Sequence, residues 1–154
     1  MGTIRRFLAH AIRLEAEAAR RFDELAEDMA THGNGEVEST FRQFADMSRM
    51  HLKHAMERAG FLHLAELPDD GYDWPDSESP EAAPWWAVDA MMDARAALEL
   101  ALGSERRGLE YYQTVADTSH DPRVVAMAKE FAAEEQKDVR LLEEMLEKTE
   151  GMFE

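Results

Sequence analysis

The chain contains no cysteine. Disulfides, thiolate catalysis, iron–sulfur clusters and Cys₄ zinc or iron centres are therefore excluded. Any metal must be held by oxygen and imidazole, which points to iron, manganese or zinc rather than a soft-metal site. There is no apolar run near the ~18 residues that a membrane-spanning helix needs. The opening residues Met1 to Leu8 pass straight into an amphipathic pattern, without the apolar core and cleavage site of a signal peptide. A cytoplasmic location is the default expectation. β-Branched residues are sparse and nothing alternates with period two, so strands are not expected. Cations are scarce as well: 17 Lys and Arg face 33 Asp and Glu, a formal net charge of −16. That balance argues against nucleic acid and anionic membranes as partners. It draws in cations such as Fe²⁺ only as a long-range, salt-sensitive effect, and it keeps a small protein soluble in any case.

What is present is helical periodicity. A length of 154 residues allows one domain with a real core. Residues 1–154 read as a single all-α domain with helices at about 4–31, 36–59, 85–118 and 122–148. Gly33-Asn34-Gly35 stops the first helix and Gly60 the second. Asp121, a plausible N-cap, followed by Pro122 opens the fourth. The joins between the first two and the last two helices are short, so each pair forms an antiparallel hairpin. The middle join, at about 60–84, holds Pro68, Gly71, Pro75, Pro80 and Pro84 and is long enough to travel the length of the bundle. Two antiparallel hairpins joined by one long crossover make a ferritin-like four-helix bundle. Tyr72, Trp74, Trp85 and Trp86 either pack the crossover against the helices or receive a partner.

Each helical stripe also carries polar side chains of the metal-ligating type. Glu15 lies among Leu8, Ile12, Ala19, Phe22 and Ala26; Glu105 lies among Leu98, Leu102, Leu109, Tyr112 and Ala116. Ser48 and His51 mark the second helix, Glu135 and Asp138 the fourth. A carboxylate in an apolar stripe is costly unless paired, protonated or metal-bound, and no Lys or Arg shares those stripes. The halves also repeat. Displacing the first helix by 90 positions sets Leu8 on Leu98, Ile12 on Leu102, Glu15 on Glu105 and Phe22 on Tyr112. Displacing the second by 87 sets Phe44 on Phe131, Ser48 on Glu135 and His51 on Asp138. A pseudo-twofold bundle follows, with equivalent polar positions facing one another at mid-height. The phase of Phe131, Leu142 and Met145 turns Glu135 inward rather than Glu134. His54, one turn beyond His51, is a substitute ligand or a rim residue; His10, His32, His63 and His120 read as surface or loop. The ten methionines fill core space.

These segments together resemble the ferritin-like superfamily, in particular the erythrin domain of rubrerythrin-type proteins. The stretches A-I-R-L-E-A-E-A-A-R-R-F and A-L-G-S-E-R-R-G-L-E-Y-Y resemble the family's glutamate helices. The stretches F-A-D-M-S-R-M-H and F-A-A-E-E-Q-K-D resemble its F-A-x-x-E-x-x-H helices. The resemblance implies a di-iron centre with one Glu from each of two helices and a Glu-x-x-His from each of the others. Carried over by position, Glu15, Glu105, Glu135 and His51 match, while Ser48 replaces a bridging glutamate and Asp138 replaces a histidine. The metal ligands implied are thus Glu15, His51, Glu105, Glu135 and Asp138, with two irons expected, one ion an alternative, and Mn or Zn open. Tyr112 is implied as a redox participant beside the metal, or else is core with its hydroxyl on a carboxylate. Gly108 stands where rubrerythrins carry a further glutamate, and the chain lacks their Cys₄ domain; both argue against peroxidase activity. The implied function is iron binding or handling, or O₂- or peroxide-linked Fe²⁺ oxidation, with metal ions and a small oxidant as partners and a homodimer as the assembly. The rival reading is a degenerate ferritin-like domain serving as a non-catalytic interaction or scaffold module.

Overall fold

Each helix begins and ends where the local chemistry dictates. The computed structural model describes residues 3–60 and 91–151, arranged as α1 (Thr3–Thr31), α2 (Gly35–Ala59), α3 (Ala94–Thr118) and α4 (Pro122–Gly151). At the end of α1, Gly33 adopts φ 75°, a left-handed conformation that side chains with a Cβ resist. Its N–H bonds Ala30 O at 3.1 Å, and the next N–H, of Asn34, bonds Met29 O at 2.8 Å. Asn34 then caps α2, its Oδ1 accepting from Val37 N at 3.3 Å. Gly60, at φ 68°, closes α2 in the same left-handed way. Asp121 accepts from Arg123 N at 2.9 Å, so the expected cap with Pro122 behind it opens α4. That backbone bond holds the Asp121 carboxyl below its ordinary range.

One boundary differs from expectation. The third helix was expected from about 85, but Met91–Asp93 are not helical and α3 starts at Ala94. The reason is local: Asp93 Oδ1 accepts from Ala96 N at 2.9 Å, an N-cap that a helix running through this point would forbid. Residues 85–90, and the crossover with Tyr72, Trp74, Trp85 and Trp86, lie outside the described residues.

The three-residue joins 32–34 and 119–121 fold α1 on α2 and α3 on α4. The hairpins then pack antiparallel across the bundle. Along α2 and α4, His51 meets Asp138, His54 meets Glu134 and Arg58 meets Glu130. Along α1 and α3, Phe7 meets Tyr112 at one end, with ring centroids 6.2 Å apart. This is a ferritin-like four-helix bundle, with no strand among the described residues. No described helix is long and apolar enough to cross a membrane.

The core is divided in two. One cluster gathers Phe22, Leu25, Met29, Phe41, Phe44, Leu98 and Leu142. The other gathers Phe7, Leu8, Ile12, Tyr112, Val124 and Phe131. Each buried Leu, Ile or Phe contributes about 1.5–3 kcal/mol, so the two clusters supply the bulk of the driving force. Exposed pairs such as Arg49 with Asp23 at 2.6 Å contribute little, about 0–1 kcal/mol each. Between the clusters, at mid-height, the stripes turn polar.

Asn34 also donates from Nδ2 to Met92 O at 2.8 Å, tying the first hairpin's turn to the approach of α3. Asn34→Ala should lower the unfolding free energy by about 1–2 kcal/mol through loss of the cap and this tie. Urea titration of the metal-free chain checks it; an unchanged midpoint would refute the capping role.

Candidate metal centre

The mid-height layer is assembled by helical spacing. Glu15 sits two turns after Leu8 on α1 and Glu105 two turns after Leu98 on α3, each held inward by the apolar residues of its own stripe. Seven positions separate such pairs, which returns almost to the same face of a helix. Relative exposure is 2% for Glu15, 1% for Ser48, 4% for Glu105 and 1% for Glu135. His51 and Asp138 are half-buried beside them. The inward residue of the Glu134-Glu135 pair is Glu135, with Glu134 half-buried toward the seam between α2 and α4.

Four of these residues converge. His51, Glu105, Glu135 and Asp138 each offer one ligand atom, and all four atoms lie within 4.8 Å of one another. His51 Nε2 stands 2.5 Å from Asp138 Oδ2, and its Nδ1 stands 3.4 Å from Glu134 Oε2. Glu15 lies outside the group; its Oε1 accepts from the Tyr112 hydroxyl at 3.2 Å. His54 is also outside, paired with Glu134 and with Glu130 at 3.6 Å nearer the rim. Tyr112 is wholly buried, in edge contact with Phe7, Phe131 and Tyr111. Gly108 is buried one turn after Glu105 and brings no side chain to the layer.

The electrostatics follow from this crowding. Burial opposes a charge on His51, but hydrogen bonds to Asp138 and Glu134 and the charges of Glu15 and Asp138 prevail, pushing its pKa up to about 12. The ring is therefore an imidazolium that donates from both nitrogens. Burial raises Glu105 to about 7; the charges of Glu15 and Asp138 add to the rise, while its bond to Glu135 and the His51 charge restrain it. For Glu134, burial is outweighed by its bond to His51 and by the two nearby imidazoles, which hold the carboxyl below its ordinary range. Protons thus do here what a cation would do: they neutralise a buried cluster of acids.

The donor set suits a divalent ion of intermediate hardness, since it is carboxylate and imidazole only. Glu105 Oε2 is buried and has no hydrogen-bond partner, which costs about 1–3 kcal/mol for such a group. An ion in the cluster would remove that cost. Iron, manganese and zinc all fit.

Sequence reasoning missed two buried ionisable groups, His10 and Arg21, the latter 7% exposed. His10, expected at the surface, is 3% exposed. Burial, together with Arg6 and Arg13 nearby, lowers its pKa to about 3. The signal was available: His10 sits between Phe7-Leu8-Ala9 and Ala11-Ile12, where α1 buries more than a narrow stripe. His32 and His120 are exposed as expected, and His63 lies outside the described residues.

The Rubrerythrin family profile matches residues 6–66, a span that contains Glu15, Ser48 and His51. The chain is also similar to a solved structure, an uncharacterized conserved protein from Magnetospirillum magnetotacticum MS-1. The two are 38% identical, the alignment covers 96% of this chain and 95% of that one, and the TM-score is 0.68. No curated protein matches.

The pH dependence of the metal-free protein should expose the buried acid. A carboxyl raised from 4.5 to about 7 favours folding below its unfolded pKa, and that contribution is lost as pH rises from about 4.5 to 7. The raised His51 acts in the same direction at higher pH, its stabilisation fading from about 6.5 upward. The lowered His10 acts in the opposite direction, costing stability as pH falls below about 6.5. Glu105→Gln removes only the Glu105 contribution. Chelator-treated Glu105→Gln should therefore melt several degrees above the parent at pH 8, and the gap should shrink toward pH 5. Calorimetry across that range checks it; a gap independent of pH would refute the assignment.

Proposed function

Because the chain belongs to the rubrerythrin-type ferritin-like family, we propose that it binds a divalent transition metal, iron first, at His51, Glu105, Glu135 and Asp138. The observation that carries this reading is the convergence of those four donors, from three helices, at the buried mid-height layer between the two apolar clusters. Bound iron would supply a redox-active Lewis acid able to give electrons to oxygen or peroxide.

The chain's own residues have definite tasks in this reading. His51 must lose a proton before it can ligate, because only the neutral imidazole has a free lone pair. Glu134, on the Nδ1 side, holds the ring's orientation and keeps a hydrogen bond when the other nitrogen turns to an ion. Tyr112 fixes Glu15 through its hydroxyl and, packed against Phe7 and Phe131, closes that side of the layer to water. The two apolar clusters seal the layer above and below. Metal uptake is thereby coupled to proton release from His51 and, below about pH 7, from Glu105.

Calorimetric titration of Fe²⁺ under anaerobic conditions, in two buffers of different ionisation enthalpy, tests this. Binding should release at least about one proton per ion, tighten as pH rises from 6 to 8, and raise the melting temperature. Glu135→Gln should lose the binding and the thermal gain together. A chain whose melting responds to none of Fe²⁺, Mn²⁺ and Zn²⁺ would leave the scaffold reading in its place.

A further inference from the structure

The number of ions follows from the geometry. Resting on the metal-binding reading above, we propose that the centre is built for one ion rather than a bridged pair. His51, Glu105, Glu135 and Asp138 form a single coordination set, and Ser48 is the substitution that limits it.

The first argument is the contact between His51 and Asp138. These are repeat-equivalent positions on α2 and α4. In a symmetric pair each would serve a different ion from opposite ends of the site. Here His51 Nε2 and Asp138 Oδ2 are 2.5 Å apart. Paired ions stand about 3.5–4 Å apart, with their outer ligands farther apart still. Two atoms in hydrogen-bond contact would have to part by several ångströms to serve as outer ligands of two such ions. They can be neighbours on one.

Size gives the same answer. Ligand atoms lie about 2.0–2.2 Å from a bound ion of this kind, so two ligands of one ion are at most ~4.4 Å apart. The four donor atoms here lie within 4.8 Å of one another. A shift of a few tenths of an ångström by each closes the set on one ion. Outer ligands of a pair would span roughly 8 Å, the ion separation plus one bond at each end.

The third argument is the missing bridge. A paired site in this kind of bundle uses six side chains, with a glutamate from each Glu-x-x-His segment. At position 48 that glutamate is a serine, 1% exposed and enclosed by the bundle. Glu15, which would complete a second ion's set, accepts from Tyr112 and stands outside the converging group.

The test uses the full chain, stripped with chelator, loaded with excess Mn²⁺ and desalted. Elemental analysis gives the stoichiometry, and electron paramagnetic resonance reports whether the ions are coupled. The expected result is about one Mn²⁺ per chain, with the hyperfine-split spectrum of an isolated ion. About two ions with an exchange-broadened spectrum would overturn the one-ion proposal and leave the metal-binding reading standing. No bound ion, repeated with Fe²⁺ and Zn²⁺, would overturn both. Ser48→Glu restores the bridging carboxylate and should raise the count toward two; a folded variant still holding one ion would overturn the role given to Ser48. Should that variant fail to fold, the parent's stoichiometry and spectrum decide the matter alone.

Discussion

A layer of buried acids between two apolar clusters is the constraint on which this bundle depends. Glu15, Glu105 and Glu135 are each at least 96% buried, and carboxylates so placed repel one another strongly where the surroundings screen little. The fold tolerates them because counter-charge is built into the same layer. Asp138 faces an imidazolium at His51, Glu105 shares a hydrogen bond with Glu135, and Glu15 accepts a hydrogen bond from the Tyr112 hydroxyl. Each acid has a partner on another helix, so the layer orders the helices relative to one another as well as straining them.

The same arrangement makes protons and cations alternatives. In the metal-free state His51 keeps its proton far above the ordinary imidazole range, and Glu105 keeps one up to about neutrality. A divalent ion would take over that neutralising role. The seam between α2 and α4 extends this polar chemistry outward through Glu134, His54, Glu130 and Arg58, with exposure rising toward the rim. The α1–α3 side is closed instead by aromatic rings around Tyr112. The α2–α4 and α1–α3 faces thus differ chemically, and the repeat, which exchanges α1 with α3 and α2 with α4, leaves each face to itself.

Within the layer itself, the repeat is broken at two pairs of positions. Where the repeat would place like with like, Ser48 opposes Glu135 and His51 opposes Asp138. The second pairing brings an acid against a base, and they meet directly. The first leaves a small hydroxyl where a carboxylate would stand, while Asp138 adds one, so the layer keeps four carboxylates in an uneven arrangement. With like backbones and unlike side chains, the layer gathers one histidine and three carboxylates into a single close group of four.

Much of this was legible in the chain itself. Apolar spacing identified the four helices, Gly33, Gly60 and Asp121 marked three of their limits, and the absence of cysteine restricted any metal to oxygen and imidazole ligands. Helical phase alone turned Glu135 inward and Glu134 outward, because one residue is a rotation of about 100° on a helix. Three matters were decided only in three dimensions. Asp93 sets the start of α3 by capping it, a choice between local bonds that periodicity does not rank. His10 is buried because α1 packs on more than one side, which depends on where its neighbours stand. Glu15 accepts from Tyr112 and is not among the four close donors, which depends on distances between helices. A sequence determines which face of each helix is buried, through local periodicity; which buried groups touch across the core is set by the packing of the helices on one another.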